Sequence, residues 1–104
     1  MLDYIASNLE TNISLTKLAA IADMSPHYFS ELFKQSTGRA PHNYILLQRI
    51  ERAKQHLRDP KRSITDVGLE AGFQNPSHFA RIFRKVAGTT PSGFRVDYVL
   101  SKVA

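Results

Sequence analysis

The chain has 104 residues, 42% of them hydrophobic, a net charge of +5 and no cysteine, so it is sized for one domain or for two very small lobes sharing a helix. The lack of cysteine excludes a disulfide framework, a thiolate metal site and a cysteine nucleophile. No apolar run approaches the roughly 18 residues of a membrane span, and no basic-then-apolar signal segment opens the chain, so a cytoplasmic protein with no membrane partner is expected. Charge is unevenly placed: residues 1–38 carry two basic and four acidic side chains, net −2, whereas residues 39–104 carry twelve and five, net +7. A compact basic domain points to a polyanion, nucleic acid first.

In chain order, Leu2, Ile5, Ala6 and Leu9 follow the i, i+3, i+4, i+7 spacing of a short amphipathic helix that ends near Thr11 and Asn12. Ser14 is a suitable N-cap for a second helix burying Leu15, Leu18, Ala19 and Ala22. After the turn Asp23-Met24-Ser25, the pair Ser25-Pro26 opens a third helix with Phe29, Leu32 and Phe33 inward and Gly38 as its stop. Pro41 begins a long helix with an apolar stripe at Leu46, Ile50, Ala53 and Leu57, ending about Arg58 before Asp59-Pro60. Ser63 caps a fifth helix closed by Gly72, with Asp66 three residues on as an approximate capping box. Asn75-Pro76 opens a sixth with Phe79, Ile82 and Phe83 inward and Gly88 beyond it, and Pro91 begins a last short helix through Phe94 toward Leu100.

The second and third of these helices recur as the fifth and sixth. Ser14 and Ser63 are 49 residues apart, while Pro26 and Pro76, Phe29 and Phe79, Phe33 and Phe83, Gly38 and Gly88, and Pro41 and Pro91 are all 50 apart. The one inserted residue therefore lies in the turn before the proline. No strand-like alternation persists, so the expected fold is all-α: about seven helices forming two helix-turn-helix units joined by a long central helix. The first unit is residues 1–40, the linker helix 41–58 and the second unit 59–104.

In a helix-turn-helix the first helix braces the second, which enters the major groove of duplex DNA. The helices must cross closely, and Ala19 and Gly68 occupy the matching small positions. Helical spacing turns His27, Ser30 and Glu31 outward in the first unit and Ser77 and Arg81 in the second, as base-reading candidates. Arg81 leads because a guanidinium can give two donors to guanine O6 and N7. Glu31 could accept from a cytosine amino group. Lys34, Arg58, Lys61, Arg62, Asn75, Arg84 and Lys85 are the candidate phosphate contacts. The histidines His27, His42, His56 and His78 are never three or four apart and have no cysteine companions, so no metal is expected. Glycines occur singly, without a phosphate-cradling loop, and no nucleophile, base and orienting acid are brought together; neither an enzyme nor a bound cofactor is expected.

The series Gly72-Phe73, Phe79-x-x-x-Phe83-x-x-x-x-Gly88, Pro91 and Phe94-Arg95 closely resembles the DNA-binding domain of AraC/XylS-type bacterial transcription regulators, and Leu15 to Tyr44 with Arg49, Ala53 and Leu57 resembles its first unit and connecting helix. The resemblance implies two recognition helices in successive major grooves on one DNA face. By position it carries base contacts to His27, Ser30 and Glu31, and to Pro76, Ser77, Ala80 and Arg81, although Pro76 and Ala80 have no side-chain donor. This sequence departs from the family pattern at Asp23 for the usual glycine, at Gly68 for the usual alanine, and in its acidic first reading face. The family further implies an N-terminal effector or dimerisation domain in the parent protein. The chain reads as an excised fragment in preference to a stand-alone form, and the isolated domain is expected to be a monomer. The alternative reading is a helical adaptor that contacts RNA polymerase or another protein and binds DNA weakly. The DNA-repair methyltransferases that carry a similar domain need a transfer cysteine, which this chain lacks.

Overall fold

The structure, a computed structural model, describes residues 1–103 and contains seven α-helices and no strand among them. They are α1 Leu2–Ser7, α2 Leu15–Ile21, α3 Pro26–Thr37, α4 Pro41–Leu57, α5 Ile64–Glu70, α6 Pro76–Ala87 and α7 Pro91–Val103. The chain divides into two compact units, Met1–Gln48 and the part from Arg49 onward. The 17-residue α4 gives its first half to one and its second half to the other. At 1.5 Å per residue it is about 26 Å long.

Helix starts follow local chemistry. The Ser14, Ser25 and Ser63 hydroxyls and the Asn75 Oδ1 accept hydrogen bonds from the N–H groups of Lys17, Tyr28, Asp66 and His78 at 3.1, 3.2, 3.0 and 2.7 Å. Each satisfies one donor that the first helical turn leaves unpaired. Pro26 and Pro76 follow their caps at the first helical position, where a missing N–H costs nothing. Gly38 and Gly88 end α3 and α6 in the left-handed conformation, both at φ 81°.

The first unit closes over Ile5, Leu9, Leu18, Ala19, Phe29, Phe33 and Ile45. Phe33 meets Phe29 at 5.7 Å and Tyr44, edge-on, at 5.3 Å between ring centroids. In the second unit, Phe79 lies 5.1 Å from Phe73 and 5.7 Å from Phe83, which in turn is 5.7 Å from Phe94. Such tilted and edge-on pairs add to the burial of the rings.

Four expectations are corrected. Helix α1 stops at Ser7 rather than near Thr11: the Asn8 side chain donates to the Tyr4 carbonyl at 2.7 Å and turns the chain locally, as asparagine does in competition with a helix. Leu15 is 39% exposed instead of buried, because α2 presents Leu18 and Ala19 to the core. Ile45, outside the expected stripe, is buried, whereas Leu46 is only half-buried. Helix α7 runs on to Val103 with Val96, Val99, Leu100 and Val103 exposed.

Candidate nucleic-acid interface

Both α2–α3 and α5–α6 are joined by the same hydrogen-bonded turn. Asp23 N–H reaches the Ala20 carbonyl and Met24 N–H the Ala19 carbonyl, at 3.1 and 2.9 Å; Gly72 N–H to Leu69 and Phe73 N–H to Gly68 repeat this, both at 3.0 Å. This is the paired closure of a helix C-terminus that requires a left-handed residue. Gly72 supplies it at φ 106° and Asp23 at φ 56°. The departure at Asp23 thus keeps the turn's bonding pattern, with a β-carbon in a region L-residues avoid.

The crossing of α5 and α6 is tight. A β-carbon on Gly68 would stand 2.6 Å from Cδ2 and 2.9 Å from Cγ of Phe79, a ring only 1% exposed. The glycine lets α6 lie close on α5, and this sets the direction of the outward face of α6.

On that face Ser77, Ala80, Arg81, Arg84 and Lys85 are all exposed. Ala80, Arg81, Arg84 and Lys85 line an open groove with Thr90, whose hydroxyl accepts from Gly93 N–H at 3.0 Å in the first turn of α7. Asn75 is exposed with Oδ1 committed to its capping bond, so only its amide N–H groups are available to an acceptor.

On α3, His27, Glu31 and Lys34 are exposed, as helical spacing requires. Ser30 is half-buried at a cleft that Leu15, Leu18, Pro41, His42 and Ile45 also line, so it is less open than its counterpart Ala80. Tyr28 and Gln35 are among the exposed α3 residues that were not sequence candidates. Tyr28 is 57% exposed in the first turn of α3, whereas its counterpart His78 is half-buried with its ring edge-on to Phe73. Gln35 is exposed at the position matching Lys85. The 50-residue offset would have located both.

The remaining phosphate candidates lie at the α4–α5 junction, not on α6. The Arg58 guanidinium stands 5.4 Å from the Tyr98 ring centroid. Lys61 is exposed, its backbone N–H bonded to Asp59 Oδ1 at 3.0 Å. Arg62 is engaged: its Nη1 is 2.5 Å from Glu70 Oε2 and its Nε 3.7 Å from Asp59 Oδ2. The same Glu70 oxygen is 3.4 Å from His56 Nδ1, a buried atom without a hydrogen bond. On α4, half-buried Arg49 loses hydration, which lowers its pKa.

The first unit carries three basic and four acidic residues, net −1, and the second eleven and five, net +6. No group of His, Asp and Glu among the described residues could hold a metal ion, and no described helix is long and apolar enough to cross a membrane.

A helix-turn-helix domain family matches residues 18–96, and over 95 residues the chain is 39% identical to the XylDLEGF operon transcriptional activator of Pseudomonas putida. The chain belongs to the AraC/XylS-type family. Its all-α architecture and its nature as a DNA-binding domain of transcription regulators follow from that membership. The Pseudomonas match covers 88% of this chain and 30% of the activator. The HTH-type transcriptional regulator YobQ of Bacillus subtilis is 41% identical over 92 residues, 88% of this chain and 38% of that protein. This AraC-type domain thus spans little more than a third of these relatives at most. Among solved structures, an AraC-type transcriptional regulator from Chromobacterium violaceum superposes with a TM-score of 0.85 at 31% identity, covering 93% of this chain and 87% of that one. The DNA-binding domain of AdpA, a global transcriptional factor crystallised with a target DNA, gives 0.89 at 29% identity with the same coverage.

Proposed function

We propose that this AraC-type domain reads a bipartite, non-palindromic duplex site, with α3 and α6 each entering a major groove and α6 providing most of the affinity. The observation that carries the reading is the exposed row Ser77, Arg81, Arg84 and Lys85 on α6, a helix set closely on α5 by Gly68. Arg81 is the base reader, its two donors suited to a guanine edge. Arg84, Lys85 and the Asn75 amide bind phosphates. His27, Glu31 and Ser30 read the first half-site, with less weight on Ser30 because it is half-buried. The domain acts without a cofactor, in the cytoplasm, within a longer regulator bearing an N-terminal effector or dimerisation domain. The share of its relatives that it spans supports the greater length.

Selection from randomised duplexes of about 30 base pairs, long enough for two half-sites one helical turn apart, tests this. Two unlike motifs are expected, and Arg81→Ala should abolish the second, at a cost of roughly 1–3 kcal/mol in discrimination. No enrichment by the unaltered domain would overturn the reading.

A second reading has its own support. The net-negative first unit and the exposed Tyr28 suit contact with a protein such as RNA polymerase, with DNA bound weakly. Under it, duplex affinity would be nearly independent of salt. A DNA-binding domain should instead show log K falling with log salt at about −0.9 per phosphate contact.

A further inference from the structure

Arg95, on α7, makes three hydrogen bonds to backbone carbonyls 33–38 residues earlier in the chain. Its Nε donates to Leu57 at 2.9 Å, and its Nη2 to Asp59 at 3.1 Å and to Arg62 at 2.6 Å. Leu57 is the last residue of α4, so its carbonyl has no partner within the helix. Asp59 and Arg62 bound the junction that leads into α5. A planar guanidinium with five donors can hold several carbonyls at once. Asp59 Oδ1 braces the same junction from within by accepting from Lys61 N–H.

One helical turn further along α7, Tyr98 faces the Arg58 guanidinium at 5.4 Å, close enough for a cation–π contact. Glu70 balances Arg62. Arg58 and Lys61 are exposed cations that this corner presents beside the paired Arg62. The corner feeds α5, the bracing helix of its unit, and bracing helices cross the DNA backbone. Resting on the reading above, we propose that Arg95 is a positioning residue for DNA binding: it holds the α4–α5 junction so that Arg58 and Lys61 form a second phosphate-binding corner, apart from the face of α6. Arg95 itself bonds protein carbonyls and does not touch DNA.

The test is a salt titration of duplex affinity with a two-residue cycle. Lys61→Gln should flatten the slope of log K against log salt by about 0.9, the value of one lost phosphate contact. Arg95→Lys keeps the charge but loses the fork, and should flatten the slope by about 1.8, the value of the two contacts at Arg58 and Lys61, with helical circular dichroism unchanged. Adding Lys61→Gln to Arg95→Lys should then change little. A slope unaffected by Lys61→Gln, or full additivity of the two changes, overturns the proposal. In the unaltered protein, the Arg95 Nε–H should exchange slowly with solvent, free and DNA-bound alike, a readout that does not depend on a variant folding. Fast exchange in the complex also overturns it. If the unaltered domain shows no salt-dependent duplex binding at all, the DNA-reading proposal falls and takes this one with it. A steep wild-type slope that survives Lys61→Gln removes this one alone.

Discussion

Asp23 holds φ 56° where the second unit has Gly72. The left-handed region costs a residue with a β-carbon roughly 1–2 kcal/mol, although aspartate is among the side chains that tolerate it. The cost is met because both turn hydrogen bonds still form, at 3.1 and 2.9 Å. Asp23→Gly should therefore stabilise the first unit by about 1 kcal/mol, less the added freedom of glycine in the unfolded chain. Urea denaturation followed by helical signal would show it as a rise in the midpoint. No change would mean that the aspartate is already relaxed in this turn.

Among the elements, the pair α5 and α6 depends most on a single position. The β-carbon of any residue replacing Gly68 would overlap the Phe79 ring, at 2.6 Å from Cδ2, and a ring 1% exposed has no space to yield. Gly68→Val should push α6 off α5 and destabilise the second unit by about 2 kcal/mol or more, within or beyond the usual range for overpacking. Thermal unfolding measures the loss, and a fall in duplex affinity at temperatures where the variant stays folded would show that the helix face has been re-aimed. Helix starts were legible in the sequence because they rest on local signals: Ser14, Ser25, Ser63 and Asn75 each bond an N–H three residues on. The outward faces of α3 and α6 were legible for the same reason, through a 3.6-residue period. What escaped depends on contacts that leave no periodic trace. Asn8 ends α1 through its side chain, Glu70 takes up Arg62 from eight residues away, and Arg95 reaches back across more than thirty residues. Ser30 has the right helical phase, yet it is half-buried beside the start of α4, a neighbour that phase alone does not reveal.

For the whole molecule, the decisive quantity is the division of charge, net −1 before Arg49 and net +6 from there on. Duplication has kept the scaffold of two units and parted their electrostatics. Salt should weaken DNA binding chiefly through the second unit, since counterion release follows the cations that meet phosphate. Glu31→Gln removes an anion from the first reading face. It should strengthen binding to unrelated duplexes a few-fold while leaving the second motif's sequence preference as it was, measurable by fluorescence anisotropy on matched and scrambled sites. Equal affinity before and after the change would place Glu31 away from the DNA.

The same division bears on how a chromosome is searched. On the proposed two-motif reading, attraction over several ångströms belongs almost entirely to one half of this domain, so encounters would begin there. Genomic stretches carrying only the second motif would then act as decoys, while stretches carrying only the first would be passed over almost as random sequence.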